Sequence, residues 1–484
     1  MEEKLNEDTS QIKYLKFKDI FAYSFGLFGF YLFVGLLNTY QAEFFGMLGA
    51  DIAIVGVIVL VVKIVTVIFD PIVGNLIDKT DTKYGKLKPF IAITAIPLAI
   101  LTVVMFIPGI TPKDSFSKAG LYVYVTVVTF FWTLLMTLGD VPSQGIASVL
   151  TPNPTEKTNV ISLSNTLKSV GLVACAGIMP FVCMIVPGGN PGFVGTGVVS
   201  GMEYFVTSIV ISVLGGGLFL LIFFINKERV PYKAEKMSFK TMFETVKGNK
   251  PLLLVVVSCL LGFGRQIQAG MGIQAATAYT GNPSLVLVVG MSCGIGAMLG
   301  MAVMPVLIKK FDEKKTYIGV SIYGFVISTI SYVVFFFNKE LYTLLPLLFL
   351  LGFQFCIVNI MPMVMVADCI DYYEHKTGHR TEGASYAILT LVIKLTLAMG
   401  TALGLIVVGL SGYDPNVIES SAKTQETIHL AYAFLPGLFG LLSIFPIFKY
   451  DLVGEKKLTI ARELEERRKS AAAPEVSEPE PEAV

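Results

Sequence analysis

The sequence predicts an all-α membrane protein with 12 transmembrane helices in two six-helix halves and both termini in the cytoplasm. Three observations predict it. The chain is 54% hydrophobic and 15% charged, with a mean hydropathy of +0.70; a soluble domain carries about 25% charge. Its apolar residues fall into runs of about 20, the length at which a helix crosses a ~30 Å hydrocarbon core. Its lysines and arginines lie on one side of those runs, and the longest polar connection divides them six and six.

Taken in order, residues 1–18 are polar and of mixed charge, with no cleavable signal, so the first apolar run is a retained span. The N-terminal half (19–226) holds spans near 19–41, 52–77, 89–109, 119–141, 160–187 and 204–226. The linker KERVPYKAEKMSFKTMFETVKGNK (227–250) follows. The C-terminal half (251–448) holds spans near 251–279, 284–308, 316–337, 341–366, 384–409 and 428–448. The tail 449–484 contains an amphipathic stretch, LTIARELEERRK, and ends in a Pro/Glu-rich segment whose composition predicts disorder. Twenty-nine lysines and arginines fall in the N-terminus, the even-to-odd loops and the tail. Only Lys113, Lys118, Lys339 and Lys423 fall in the opposite loops, which puts both termini inside. Loop DKTDTKYGKLK (78–88) in the first half has a weak echo, KKFDEKK (309–315), in the second. Such halves make the major facilitator architecture, with the substrate site between them near mid-membrane. The expected setting is the cell membrane (inner or cytoplasmic), as a multi-pass monomer in the lipid bilayer.

Other classes are excluded or remote. A net charge of +1 gives no footing for nucleic acid. The six cysteines lie in or at the ends of apolar runs, without the spacing of a disulfide framework or zinc site. The three histidines sit near loops and predict no metal centre. There is no nucleophile–base pair and no attached catalytic domain, so the chain reads as no enzyme and a membrane enzyme or sensor is a remote alternative. No cofactor is expected beyond a coupling proton or sodium ion.

The most informative stretch is KIVTVIFDPIVGNLIDKTDTKYGKLKP (63–89), which puts charge inside an apolar helix. Each such charge costs roughly 2.5–3.5 kcal/mol on insertion scales, so it pairs, lines water or binds an ion. Lys63, Thr66 and Asp70 lie at i, i+3 and i+7, on one helical face. Asp70 lies roughly 12 Å from the cytoplasmic end of its helix. Asp140, Lys168 and Lys394 reach similar depth on three other helices. These groups are either salt bridges that fix helix packing or a central site where a carboxylate holds a cation or proton. Helix 7 carries Arg265, Gln266, Gln268 and Gln274 among glycines 262, 264, 270 and 272. That pattern suits a bent helix lining a cavity, or helix packing through small residues. Gln354 and Asn359 suit the same cavity or an interhelical bond. Tyr31 and the lone Trp132 suit stacking on a sugar ring, or plain core or lipid-facing roles.

Three ordered segments carry a family resemblance: DPIVGNLIDKTDTKYGKLKP (70–89), LGDVPSQG (138–145) with EKTNVISLSNTLKSVG (156–171), and ADCIDYYEHKTGHRTEG (367–383). Together they resemble the glycoside–pentoside–hexuronide:cation symporters of the major facilitator superfamily, over all the spans. The resemblance implies a secondary active transporter: cation- or proton-coupled symport of a sugar or glycoside, a hexuronide included, by alternating access. It implies a cation-coupling group of Asp70, Thr66, Asp140 and Lys394. It implies substrate contacts at Tyr31, Asp140, Gln144, Asn165, Lys168 and Lys394, which the helix 7 reading extends to Arg265. It implies cytoplasmic gating charges at Asp78, Lys83, Lys86 and Lys88, answered by Asp371, Tyr372, Glu374 and Arg380. The bland reading of those loop charges is the positive-inside bias.

The departures from the family pattern matter as much. Thr66 stands where sodium-using relatives carry a second aspartate, and Tyr31 where a helix 1 aspartate contacts sugar. Gln144 replaces a tryptophan, and Asn165 an arginine for which Lys168 stands one turn on. A hard cation wants several oxygens, charged ones included. One carboxylate with a hydroxyl makes a poor sodium cage, and a lone carboxylate in an apolar helix is a natural proton carrier. The expectation is therefore proton coupling, with sodium at Asp70 as the alternative. An uncoupled facilitator, or a carrier of a non-sugar organic anion or lysolipid, also fits the chain. Three lysines at the centre suit an anionic substrate.

Overall fold

The computed structural model describes residues 13–109, 117–186, 199–230, 239–417 and 419–472. Their regular structure is helical. In chain order the helices are α1 (Phe17–Met47), α2 (Ile52–Val67), α3 (Phe69–Lys79), α4 (Lys88–Met105), α5 (Lys118–Val149), α6 (Pro154–Ile185) and α7 (Gly201–Ile225). Then come α8 (Phe239–Gly248), α9 (Lys250–Leu261), a 3₁₀ segment (Phe263–Gly270), α10 (Gly272–Thr280), α11 (Val286–Phe337) and α12 (Leu341–Thr377). Last come α13 (Glu382–Leu410), α14 (Ala422–His429), a π-helical turn (Leu430–Phe434), α15 (Leu435–Leu442), α16 (Ile444–Ile447) and α17 (Gly454–Ala472).

Among the described residues ten helical segments are long and apolar enough to cross a membrane, and the expected spans fall on helical segments. The 3₁₀ segment breaks the seventh span and the π-helical turn lies in the twelfth, and two further departures from one span per helix have local causes. The eighth and ninth spans share α11, whose direction changes at Asp312 (φ 66°, ψ 170°), a left-handed position rare for a residue with a side chain. Asp312 Oδ1 accepts the Lys315 amide at 2.9 Å and so caps the second half of that helix. The second span is split between α2 and α3. Pro71 offers no N–H to the Val67 carbonyl, and Thr66 Oγ1 bonds back to the Val62 and Lys63 carbonyls at 2.9 and 3.1 Å.

Several helices outrun the expected spans. α1, α5 and α6 are 31, 32 and 32 residues long, roughly 47 Å at 1.5 Å per residue. The added turns carry polar residues, Glu43 in α1, Ser143 and Gln144 in α5, and Thr155 and Glu156 in α6. α1 starts where the Lys16 amide bonds to Asp19 Oδ2 at 3.0 Å. Asp19 also takes Arg229 from the end of α7 at 3.3 Å, which ties the two helix ends together.

α1 packs against α6 and α7, and α4 against α5 and α7; α11 packs against α12, and α13 against the 3₁₀ segment. α11 and α12 come close enough that a Cβ on Gly296 would lie 1.9 Å from the Phe349 carbonyl oxygen. One on Gly352 would lie 2.0 Å from that of Cys293. Only glycine permits this contact.

The face that carries residues 13–16 and α17 differs from the opposite face. At the opposite end α2 crosses α13, α1 meets α10, and one hydrophobic core runs through all of them. At the terminal face a separate core holds the ends of α9, α12 and α13 together with α17. The amphipathic stretch at 458–469 lies within α17, which buries Ile460 and Leu464. Residues 473–484, where disorder is expected, lie outside the described residues.

Candidate functional site

The break between α2 and α3 decides where the charge goes. Asp70 sits in the first turn of α3, where helix N-termini favour negative charge. Across from it, Lys394 Nζ on α13 donates to Asp70 Oδ2 at 2.5 Å. The pair is not sealed: the side chains are 37% and 25% exposed. Both line a cavity of about 270 Å³ together with Lys63, Thr66, Tyr31 and Asp140.

Asp140, in the last third of α5, is the second carboxylate of the cavity. Tyr31 Oη donates to its Oδ1 at 3.3 Å, and Gln144 Nε2 donates to its Oδ2 at 2.8 Å. Lys168 Nζ lies 4.7 Å from the centre of the Tyr31 ring, a cation–π distance. Tyr31 thus joins a carboxylate on one side to an ammonium on the other. Trp132 also lines the cavity, 2% exposed, with Nε1 held by Thr102 Oγ1 at 2.9 Å.

The structure therefore brings together Asp70, Thr66, Lys394, Asp140 and Tyr31 on one cavity, with Gln144 and Lys168 touching its wall. It does not bring in Asn165, which is exposed on α6, or Arg265. Helix 7 is bent, as its glycines suggest, but the 3₁₀ segment turns Arg265 away from the cavity. Arg265 is 4% exposed and donates to Tyr317 Oη at 2.8 Å and Ser443 Oγ at 3.2 Å. Gln266 bonds to Asn359 at 2.8 Å and Gln268 to the Tyr432 carbonyl at 2.9 Å, so these amides serve helix packing.

The loop charges find partners on their own side. The amides of Lys86, Leu87 and Lys88 wrap the Glu228 carboxylate at 2.9–3.1 Å. Lys83 lies over the Tyr84 ring and Lys88 over the Phe223 ring. Arg380 binds Glu374 at 2.7 Å, Glu382 at 3.0 Å and Asp371 at 3.1 Å. Those bonds, to Glu374 first, raise its already high pKa further. Tyr372 has Lys456 Nζ 5.7 Å from its ring. The Asp78 side chain lies outside the described residues.

Sequence reasoning missed Asn38, Thr133 and Thr137, which also line the cavity. The signal was available: Thr133, Thr137 and Asp140 stand at i, i+4 and i+7 on α5, and Tyr31 and Asn38 at i and i+7 on α1. It missed Glu228 as the centre of the 86–88 loop, and it missed Glu43 altogether.

A polar cavity inside an apolar helical bundle, with an ion pair joining helices from opposite ends of the chain, defines a membrane transporter rather than an anchor or a pore-free scaffold. The chain belongs to the MFS/sugar transport protein family, whose model matches residues 22–454, in line with the resemblance to the glycoside–pentoside–hexuronide:cation symporters. The uncharacterized symporter YjmB of Bacillus subtilis (strain 168) is 28% identical over 468 residues, covering 94% of this chain and 96% of that protein. The isoprimeverose transporter of Lactiplantibacillus pentosus is 26% identical over 451 residues, covering 90% of each. The fold is similar to that of a mutant of nucleoside transporter NupG, with a TM-score of 0.62 at 16% identity, covering 89% of this chain and all of that one.

Proposed function

We propose that the chain is a proton-coupled symporter of a sugar or glycoside, working by alternating access with both termini in the cytoplasm. The observation that carries this reading is the Lys394–Asp70 pair on the same cavity as Asp140. A proton arriving at Asp70 neutralises the carboxylate and frees Lys394. The freed ammonium can then answer Asp140 or a bound solute, so protonation and substrate affinity depend on each other, as coupling requires. Thr66 offers one neutral oxygen beside Asp70, fewer than a hard cation needs, which favours the proton over sodium. The relatives named for symport and for isoprimeverose point to the same class.

In this scheme the two halves, 19–226 and 251–448, rock about the cavity. In this reading the terminal face is the cytoplasmic one. The charges at 83–88 and 371–380, paired within their own halves here, exchange partners across the gap when that side closes.

Lys63 favours an acidic sugar within this class. It lines the cavity, and its ammonium makes no ion pair among the described contacts, while Lys394 is matched by Asp70. With Lys63, Lys168 and Lys394 against Asp70 and Asp140, the site has room for one more negative charge, such as a uronate carboxylate.

Uptake into proteoliposomes tests both points. An imposed proton gradient should drive accumulation of a labelled glucuronide, and Asp70→Asn should reduce this to downhill flux. Accumulation driven by sodium and indifferent to pH overturns proton coupling. Lys63→Met should weaken glucuronide uptake more than tenfold and leave a neutral glycoside within about twofold. Equal loss for both solutes removes the acidic-sugar reading.

A further inference from the structure

A second carboxylate that bridges the two ends of the chain lies outside the cavity lining, on α1 beyond Asn38. Glu43, near the end of α1, is 3% exposed. Its Oε1 accepts Tyr413 Oη at 2.6 Å and its Oε2 accepts Gln274 Nε2 at 3.0 Å. Tyr413 follows α13 and Gln274 lies on α10, so both donors come from the C-terminal half, 370 and 231 residues away. Tyr413 and Gln274 are themselves buried, at 7% and 0% exposure.

The backbones around this contact are pressed together. A Cβ on Gly409 of α13 would lie 2.3 Å from the Ala53 nitrogen, and one on Gly56 of α2 would lie 2.9 Å from Leu405 Cβ. Pro415, two residues past Tyr413, packs on Gly46, three past Glu43.

We infer that Glu43, Gln274 and Tyr413 form the latch of the outer gate, with Glu43 as the positioning residue that holds the halves together on that side. This inference rests on the alternating-access reading above. A buried carboxylate held, among the described residues, by two neutral donors loses both when their helices part, and water then replaces them. Opening therefore exchanges protein hydrogen bonds for hydrated groups at small net cost. A latch of this kind biases the equilibrium between inward and outward states without touching the solute.

Leu405, 2% exposed and packed on Gly56, reports the opening. In right-side-out vesicles a Leu405→Cys reporter should react slowly with an external, membrane-impermeant maleimide. Adding Glu43→Ala should raise the labelling rate roughly three- to tenfold, the yield of losing one or two such hydrogen bonds. Tyr413→Phe, which keeps the ring, should raise it by less. The double variant should equal Glu43→Ala alone, because the two residues share one bond. Unchanged labelling in Glu43→Ala and Tyr413→Phe proteins that elute as folded monodisperse samples overturns the latch. So does a lowered melting temperature with no change in labelling, the mark of a merely structural contact. Failure of proton-driven uptake with the labelling shift intact overturns the transport reading and leaves the gate standing.

Discussion

Lys394 and Asp70 stand 324 residues apart and meet at 2.5 Å inside an apolar bundle. Because each helix brings only one of the two charges, removing either leaves the other stranded. Both side chains keep some access to solvent, so the penalty is smaller than for a sealed pair. Lys394→Met alone should destabilise the protein by about 1–2 kcal/mol. The double variant Asp70→Asn/Lys394→Met should recover most of that loss while transporting nothing against a gradient. Thermal unfolding in detergent reads the first result and proteoliposome uptake the second. A double variant less stable than the single one would mean that the pair does not share one balanced charge.

Trp132 is the only tryptophan of the chain, and it lines the cavity. Its emission is therefore a built-in reporter of occupancy. Titration with a transported solute should change its fluorescence saturably. Trp132→Phe should lose the signal together with the 2.9 Å bond to Thr102, at a cost of about 1 kcal/mol in stability. A transported solute that leaves the emission unchanged would place the substrate elsewhere.

Tyr31 makes two separable contacts. Tyr31→Phe removes the 3.3 Å bond to Asp140 and keeps the ring beneath Lys168. Substrate affinity should fall by roughly fivefold, about 1 kcal/mol. Tyr31→Leu removes the ring as well and should cost a further 0.5–2 kcal/mol, or about 2- to 30-fold. The two dissociation constants from the Trp132 titration check this order. Equal values would assign Lys168 no part in holding the ring.

Much of the site was legible because charge in an apolar helix has few reasons to exist. Asp70, Asp140 and Lys394 each announced themselves within their own span, and all three line one cavity. Arg265 shows where that logic ends. Its position in a glycine-rich helix suggested a cavity wall, yet the direction of a side chain in a 3₁₀ segment is not fixed by helical spacing. Buried hydroxyls on Tyr317 and Ser443, from distant spans, took it instead. Glu43 was illegible for a related reason. It lies at the end of an apolar run, where a carboxylate reads as an interfacial residue, and only the approach of α10 and the 413–415 turn buries it. Asp312 was readable as a loop residue but not as a left-handed turn inside one long helix, since nothing local demands that conformation of an aspartate.

Lys457 supplies the last prediction. It projects from α17 between Glu313, at 2.6 Å, and Asp368, at 2.9 Å, and so fastens the tail helix to the kink of α11 and to the last turns of α12. Burial lowers its pKa, but the bonds to the two carboxylates outweigh that, and the net shift is upward from 10.5. A raised lysine contributes its full stabilisation below its unfolded pKa and loses it only as the pH climbs through the raised value. The lysine should therefore stay charged across the neutral range and lose its hold only in strong alkali, while on the acid side the limit is Asp368, whose carboxyl is pushed up to about 6 by burial. Lys457→Gln leaves Glu313, 6% exposed, facing Asp368 with no cation between them. The variant should unfold about 1–3 kcal/mol more easily at pH 7. Limited proteolysis should cut residues 454–469 faster than in the parent chain. The difference between variant and parent should stay constant from about pH 8 to about pH 9, above the range of Asp368, whose carboxyl is pushed up to about 6 by burial, and below that of this lysine. A difference that shrinks within that window would mean that some other group carries the contact.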